Sequence, residues 1–308
     1  MDEWNDAESE VPGPLTPRLT YPAFRPLSST VTAQVTARSL AGARPVNDDH
    51  FLVVELGRHQ QTLATNLPDG HVPSRFDETG YGMIVADGLG PSAADASRLA
   101  ISTLAHLVLH FSRWNLRIDA DGAQDVIARA QRFYSGVDRQ LAEAALKAPE
   151  LAGLRAAMTA AFSAGDSLFV AHVGHSRAYL FRRGTLKQLT RDQTLRQRVA
   201  DWGPGLFEAA ASELNHILTD AVGGKAAVQI GHFQLQDRDC VLLCTNGLTD
   251  FVDDANMQEI LKRRGTLEDR CTTLANTAVE RGARDNVTLI LAEYSVPAAA
   301  PVPGGAAL

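Results

Sequence analysis

Hydrophobic residues recur with two different periods along the chain, and the two periods separate predicted strands from predicted helices. Residues 31–37 alternate between apolar and polar side chains, which is typical of a half-buried strand. Residues 167–181 predict two strands joined by a turn at 174–176, and a second turn at 183–184 leads into another short strand. These parts of the chain therefore predict β-sheet.

Three longer segments carry apolar residues at helical spacing. They are residues 92–114, 121–148 and 266–281, and each has one face to bury. The first begins with Ser92 and Asp95, whose spacing is typical of a capping box. Because the strands are grouped apart from the helices and are linked by hairpins, the pattern favours an α+β fold over a doubly wound parallel sheet.

The polar segments divide the chain into one domain and two tails. Residues 1–30 hold five prolines among acids and hydroxyls, and this composition predicts a flexible N-terminal arm. Residues 296–308 are rich in Pro, Ala and Gly and predict a flexible C-terminal tail. Residues 31–295 then form a single domain, within which the polar stretch 57–80 predicts an extended loop.

Composition and charge exclude several classes of partner. The 308-residue chain has a net charge of -7 and a pI near 5.7, so it offers no basic field to nucleic acid or to an anionic membrane. Its N-terminus lacks the features of a secretory signal, and no apolar run reaches membrane-spanning length. Cys240, Cys244 and Cys271 lack the spacing of a zinc site and predict buried free thiols in a reducing cytoplasm. A cytoplasmic protein is expected.

Candidate chemistry lies in four short turns, each of which adjoins an apolar strand-like run. The turns contain Asp48 and Asp49, Asp87, Asn246, and Asp285. Acids at the ends of buried strands can converge on a hard divalent cation, which prefers oxygen ligands. Asp-Gly and Asn-Gly pairs are also common turn formers, so any one of these turns could be purely structural. Their order along the chain favours a shared metal site.

Six segments in a fixed order resemble the protein phosphatase 2C family, in particular its bacterial branch. The segments are 44–49 (RPVNDD), 85–90 (VADGLG), 172–181 (HVGHSRAYLF), 188–192 (QLTRD), 242–250 (LLCTNGLTD) and 284–288 (RDNVT). The resemblance implies a four-layer αββα sandwich, in which two antiparallel sheets are flanked by helix pairs. It also implies two Mn²⁺ or Mg²⁺ ions at one edge of the sheets.

The resemblance further implies a role for each matching residue. Arg44 would bind phosphate, and Arg44 and Asp87 are the predicted catalytic residues. The predicted metal-binding residues are Asp48, Asp49, Asp87, Gly88 (through its carbonyl oxygen), Asn246 and Asp285. The implied reaction is hydrolysis of phosphoserine and phosphothreonine in proteins by a metal-bridging hydroxide. The implied partners are phosphorylated proteins, the substrates of a serine/threonine kinase.

The chain departs from the family pattern at several positions. Asn246 stands where a metal-binding Asp is usual and contributes no charge, and Asp48 is shorter than the usual Glu. His175 replaces an Asp that serves a third metal in many members, and we expect His175 to be a solvated turn residue. The Gly-Thr-Thr segment of the family reads Arg-Ala-Ala at residues 155–157, and Asp220 replaces an Arg.

These departures leave two alternatives to an active phosphatase. The first is a pseudophosphatase, catalytically impaired, that serves as a phosphoprotein-binding or regulatory module. The second is an unrelated α+β binding domain in which the turns are fortuitous. Hydrolysis across a metal titration separates the first alternative from the enzyme, and the placement of the four turns tests the second.

Overall fold

Two five-stranded antiparallel sheets form the centre of the protein. The computed structural model describes residues 31–69, 71–112, 120–202 and 214–297, so the predicted arm 1–30 and most of the predicted tail lie outside the described residues. The strands are β1 (Thr32–Leu40), β2 (Asp49–Gln61), β3 (Arg75–Leu89), β4 (Arg155–Ala164), β5 (Ser167–Val173), β6 (Arg177–Arg182), β7 (Thr185–Gln188), β8 (Gln229–Gln234), β9 (Cys240–Cys244) and β10 (Val287–Ser295). One sheet has the order β1-β10-β9-β6-β7, and the other has the order β2-β3-β4-β5-β8.

Helices cover the outer face of each sheet. The helices of the described segments are α1 (Ala93–Phe111), α2 (Ala120–Lys147), α3 (Leu195–Trp202), α4 (Asn246–Thr249), α5 (Asp254–Lys262) and α6 (Leu267–Glu280), with a 3₁₀ turn at Pro149–Leu151. Of these, α1 and α2 pack on one sheet, and α5 and α6 pack on the other. The three helices predicted from the apolar period correspond to α1, α2 and α6 within a few residues at each end. None of the described helices combines the length and apolar character needed to cross a membrane.

Three apolar clusters show that the layers are stacked in the order helix, sheet, sheet, helix. Along β3, Ile84 and Ala86 face α1 and α2, whereas Met83 and Val85 face the second sheet. Along β9, Leu242 packs against α5 and α6 while its neighbours face the layer between the sheets. Strand alternation thus supplies two apolar faces to each sheet. The predicted four-layer αββα sandwich is confirmed.

The predicted capping box at the start of α1 is wrong. Ser92 is the N-cap residue, but its side chain makes no capping hydrogen bond; its hydroxyl donates to the carbonyl of Glu150 at 2.9 Å. The Asp95 carboxylate instead pairs with Arg98. A complete capping box is found at α6, where the side chains and backbone amides of Thr266 and Asp269 bond reciprocally at 3.0 Å.

The stretch 57–80, predicted as an extended loop, is strand at both ends, and only the described residues 62–69 and 71–74 between β2 and β3 form the loop. Strands β2 and β3 pair from Asp49 opposite Asp87 out to Gln61 opposite Arg75. The outer part of the hairpin is polar on both faces, and therefore it shows no apolar alternation. Arg58 donates to Glu78 at 2.6 Å across this pair.

Residues 174–176 do not form the predicted hairpin turn. Strand β5 belongs to the sheet that contains β3, whereas β6 belongs to the sheet that contains β1, so the chain crosses between the sheets at this point. The predicted turn at residues 183–184 does join β6 and β7 as a hairpin. Cys240, Cys244 and Cys271 are buried and free, as predicted.

Candidate metal and phosphate site

Strand ends from both sheets meet at one edge of the sandwich. Asp49 at the start of β2 lies directly opposite Asp87 near the end of β3. Met83 and Val85 face the layer between the sheets, and the alternation of β3 places Asp87 on the same side. From the other sheet, β9 ends one residue before Thr245, whose hydroxyl donates to the Asp49 carboxylate at 2.8 Å. The layer between the sheets therefore ends in polar groups at this edge.

A cavity of about 190 Å³ opens at this edge. Its lining residues are Arg44, Asp48, Asp87, Gly88, Leu89, Gly90, Ala93, His175, His216, Asn246, Asp285 and Asn286. Six of the seven predicted site residues are among them. The seventh, Asp49, lies behind Asp87 and is 5% exposed. The four predicted turns are therefore gathered rather than scattered, although Asp87 and Gly88 lie within β3 and Asn246 begins α4 instead of forming turns.

Burial and mutual repulsion raise the pKa of two carboxylates at this edge, those of Asp49 and Asp87. Burial is the largest cause that raises the pKa of Asp49, to about 7, and repulsion from Asp285 and Asp48 adds to it. Burial also raises the pKa of Asp87 well above its ordinary value, and the nearby Asp49 carboxylate is the next cause. Carboxylates placed in this way favour either a proton or added positive charge.

Arg44 supplies one positive charge to the cavity. Its Nε donates to Asp285 Oδ1 at 3.1 Å, and its guanidinium lowers the pKa of Asp87. About half of the Arg44 side chain is exposed. Among the described residues only Nε has a hydrogen-bond partner, so the two terminal nitrogens remain available as donors. Such a fork matches two oxygens of a phosphate group.

Asn286 holds the loop that carries Arg44 and Asp48, a role that the sequence analysis missed. Its Oδ1 accepts from the Asp48 amide at 2.8 Å, and its Nδ2 donates to the carbonyls of Ala41 and Val46 at 2.9 and 3.0 Å. These bonds join the β1–β2 loop to the start of β10. The only sequence feature that marks this position is the Asp285-Asn286 pair, and it predicted a role for Asp285 alone.

The N-terminal part of α1 holds the other side of the same loop. Ser97 Oγ donates to the carbonyl of Asp48 at 2.5 Å and lies 2.8 Å from His50 Nδ1. Gly88 permits the close approach of α1, because a Cβ at this position would lie 1.8 Å from the carbonyl oxygen of Ala93. No side chain other than hydrogen fits there.

Asn246 faces the cavity from the start of α4. Its Nδ2 donates to Asp250 Oδ2 at 3.1 Å, which leaves its carbonyl oxygen as the group available to the cavity. Burial is the main cause that raises the pKa of Asp250, and the bond from Asn246 opposes that rise. The amide therefore contributes an oxygen donor and no charge.

The alanines that replace the Gly-Thr-Thr pattern support the site by packing. Ala156 and Ala157 are fully buried in β4, where they pair with Gly88 and Asp87. Asp220 does not line the cavity; its carboxylate accepts from the amide of Ala227 at 3.2 Å and closes a neighbouring loop.

The prediction that His175 is a solvated turn residue is wrong. His175 is 7% exposed, lines the cavity, and places Nε2 3.7 Å from Asp87 Oδ2. Burial lowers its pKa to about 4. The turn is covered because it crosses between the two sheets and is bonded to Gln193 in the segment that follows β7.

The donor set fits hard divalent cations in chemical type. Carboxylate, carbonyl and amide oxygens surround the cavity, and the repulsion between Asp87 and Asp49 is of the kind that a cation relieves. Within the described segments, however, no three His, Cys, Asp or Glu side chains are grouped closely enough to hold an ion as they stand. Backbone carbonyls, Asn246 and water would therefore have to complete any coordination shell.

Several proteins that are similar to this chain are named as phosphatases. A family model for Protein phosphatase 2C matches residues 79–199. The serine/threonine phosphatase stp of Listeria innocua is 31% identical over 222 residues, which cover 70% of this chain and 84% of the relative. The serine/threonine protein phosphatase PstP of Mycobacterium tuberculosis is 31% identical over 215 residues, 68% of this chain and 40% of that protein.

Solved structures agree with the sequence relatives. The catalytic domain of PstP in complex with two manganese ions has a TM-score of 0.66 and 27% identity, and the match covers 86% of this chain and 100% of that one. The Mycobacterium tuberculosis PstP/Ppp structure gives the same TM-score with 28% identity, covering 85% of this chain and 98% of that one. The chain belongs to the protein phosphatase 2C family.

Proposed function

We propose that this chain is a protein serine/threonine phosphatase that uses two Mn²⁺ or Mg²⁺ ions to hydrolyse phosphoserine and phosphothreonine. The observation that carries the proposal is the single cavity that unites the Arg44 guanidinium with the carboxylates of Asp48, Asp87 and Asp285. The names of the relatives support the same reaction, and the two manganese ions of the PstP complex support the metal requirement.

The proposed metal ligands are all oxygen donors at the cavity edge. They are the carboxylates of Asp48, Asp87 and Asp285, the carbonyl of Gly88 and the amide oxygen of Asn246, with Asp49 behind them. When bound, the ions supply Lewis-acid activation of water and neutralise charge on the phosphoryl group. The reaction then needs no nucleophilic side chain.

Arg44 binds and orients the phosphoryl group in this proposal. Asp285 holds Nε at 3.1 Å and so fixes the plane of the guanidinium, while the terminal nitrogens donate to two phosphoryl oxygens. Fixing the ester in this way converts the attack of water into an oriented step. Arg44 therefore acts through both its charge and its shape.

The proposed substrates are phosphorylated proteins, including those of a serine/threonine kinase. The net charge of -7 argues against nucleic acid as a partner. We also propose that the protein is located in the cytoplasm, and its three buried free thiols support this location. The comparisons give no support to the alternative of a catalytically impaired regulatory module.

Hydrolysis across a metal titration tests the proposal. The full chain is assayed with an aryl phosphate and a phosphothreonine peptide while Mn²⁺ is raised to millimolar concentration. Asp87→Asn is the blank, and Asp69→Asn, a change in the exposed β2–β3 loop, is the matched control. We expect activity that rises with Mn²⁺ in the wild type and the control only. Wild-type activity no higher than the blank, together with retained phosphopeptide binding, would favour the pseudophosphatase instead.

A further inference from the structure

His175 is a buried side chain whose hydrogen-bonding capacity is unused. Its Nδ1 has no hydrogen-bond partner in the described part of the chain. Its Nε2 lies 3.7 Å from Asp87 Oδ2, which is beyond the length of a hydrogen bond. A buried polar atom without a partner costs free energy, and an apolar residue would fill the same space without that cost. Packing alone therefore does not account for His175.

The neighbouring His172 shows what a structural histidine looks like in this protein. It is fully buried in β5, its Nδ1 lies 2.9 Å from Thr159 Oγ1, and its Nε2 lies 3.2 Å from the carbonyl oxygen of Arg191. Both of its nitrogens have protein partners. His175 lies three residues further on, and neither of its ring nitrogens has a hydrogen-bond partner in the described part of the chain. His175 lines the cavity, whereas His172 does not.

The turn that carries His175 is held in place from several sides. Gln193 Oε1 accepts from the Gly174 amide at 2.8 Å, and the Gln193 amide donates to the Gly174 carbonyl at 2.7 Å. Thr159 Oγ1 donates to the carbonyl of Ser176 at 3.0 Å. Gly174 has a φ of 103° and leaves no room for a Cβ beside Ala157. The imidazole is therefore presented to the cavity in a fixed position.

The surroundings of the ring decide which nitrogen carries the proton. A proton on Nδ1 would be a buried donor without an acceptor, and proteins tolerate unpaired donors less well than unpaired acceptors. The neutral ring therefore carries its proton on Nε2, and a charged ring carries one there as well. In either state His175 offers an N–H donor at the atom that lies beside Asp87.

We propose that His175 is a further phosphate-binding residue, whose Nε2–H donates a hydrogen bond to a phosphoryl oxygen in the cavity that Arg44 also lines. A phosphate monoester dianion carries only acceptors, so it suits this donor. A metal ion does not suit it, because a ligating nitrogen must be free of its proton. The inference rests on the proposed function, since the anion is the phosphoryl group of the substrate.

Phosphate binding by variants of the full chain tests the inference. Inorganic phosphate is titrated by calorimetry into Mn²⁺-saturated wild type, His175→Ala and His175→Gln. Glutamine places an N–H donor near the position of Nε2 but offers no imidazole nitrogen to a metal. His59→Ala is the matched control, because His59 is an exposed histidine in the outer part of β2, ten residues along the strand from Asp49 at the cavity edge.

We expect His175→Ala to weaken phosphate binding by about tenfold or more, as for the loss of a hydrogen bond to a charged group. His175→Gln and His59→Ala should stay within about threefold of the wild type, and Mn²⁺ affinity should not change in the Gln variant. The KM for an aryl phosphate should rise in the Ala variant and recover in the Gln variant. Recovery by Gln separates a donor from a residue that only supports the fold.

Two results would overturn the inference without touching the proposed function. The first is a Gln variant as weak as the Ala variant, with Mn²⁺ affinity lowered in both, which would make His175 a metal ligand. The second needs no variant: long-range ¹H–¹⁵N correlation of the wild type that places the proton of His175 on Nδ1 alone. A wild type that binds neither Mn²⁺ nor phosphate would overturn both proposals.

Discussion

Replacing Asp49 by Asn should stabilise the protein without metal at neutral and alkaline pH. Asp49 is 5% exposed and lies opposite Asp87, and Thr245 donates to it at 2.8 Å. Burial raises its pKa to about 7, with repulsion from Asp285 and Asp48 adding to the rise. Asparagine has the same shape and still accepts the bond from Thr245, but it never acquires a charge.

The size and sign of the effect follow from the shifted pKa. The folded-state pKa of Asp49 is about 7 against 3.8 for the ordinary group, a difference of about three pH units. At 1.36 kcal/mol per unit, ionisation of Asp49 lowers the free energy of unfolding by at most roughly 4 kcal/mol. Because the folded-state pKa is raised, the folded protein has its full stability below pH 4, where Asp49 is protonated, and loses this contribution as the pH rises through 7. The free energy of unfolding of the wild type should therefore fall across that pH window, whereas that of Asp49→Asn should not.

Urea unfolding in EDTA between pH 5 and 8.5 measures the difference. Asp239→Asn is the control, because Asp239 is also buried but is paired with Arg182 at 2.6 and 2.8 Å. Removing a carboxylate from such a pair leaves a partner charge unpaired, so the control should lose stability at every pH. Saturating Mn²⁺ should stabilise the wild type most at high pH, where its carboxylates are ionised, and should stabilise Asp49→Asn less.

The opposite result would refute this account of the acidic edge. If Asp49→Asn is less stable than the wild type in EDTA at pH 8, burial and repulsion do not destabilise the ionised carboxylate. Parallel pH dependences of the two proteins would lead to the same conclusion, because the titrating group would then not be Asp49.

Three further changes test other parts of the structure. Arg44→Lys should raise the KM for a phosphothreonine peptide by about tenfold, because lysine cannot bond Asp285 and grip two oxygens together; steady-state kinetics measures this. Asn246→Asp should tighten Mn²⁺ binding in calorimetry but lower the melting temperature in EDTA, because the new carboxylate would face Asp250. Tyr134→Phe should cost about 1–2 kcal/mol in urea unfolding and leave activity unchanged, because the buried hydroxyl donates to a β5 carbonyl at 2.8 Å.

The sequence predicted those features that depend on apolar period and on local turn chemistry. Helices α1 and α6 were found because a helix that covers a sheet must present one apolar face, and that face repeats in the sequence. Asp87 and Asp285 were found because each adjoins or ends an apolar strand-like run, Asp87 near the end of β3 and Asp285 just before β10. Their convergence was inferred from the order of the turns and from the family resemblance, since no local pattern shows that strands from two sheets end at one edge.

The features that the sequence missed depend on contacts between distant segments. Asn286 and Ser97 act on the backbone of the loop before β2, and neither is marked by a period or a motif. His175 was misplaced because its burial arises from a crossing between sheets and from Gln193 above it. The outer β2–β3 hairpin was missed because it buries no apolar face. Each miss is a case of tertiary context overriding local propensity.

The departures of this chain change the charge of the cavity and leave the placement of its loops intact. The loop that carries Arg44 is held by Asn286 and Ser97, and neither contact requires a carboxylate at position 246 or 175. Both replacements remove negative charge from a cavity that must admit a phosphate dianion. Less negative charge weakens the attraction for divalent cations and also weakens the repulsion of the substrate. We therefore expect an enzyme that needs more metal than an all-carboxylate relative but holds phosphate more tightly once the metal is bound.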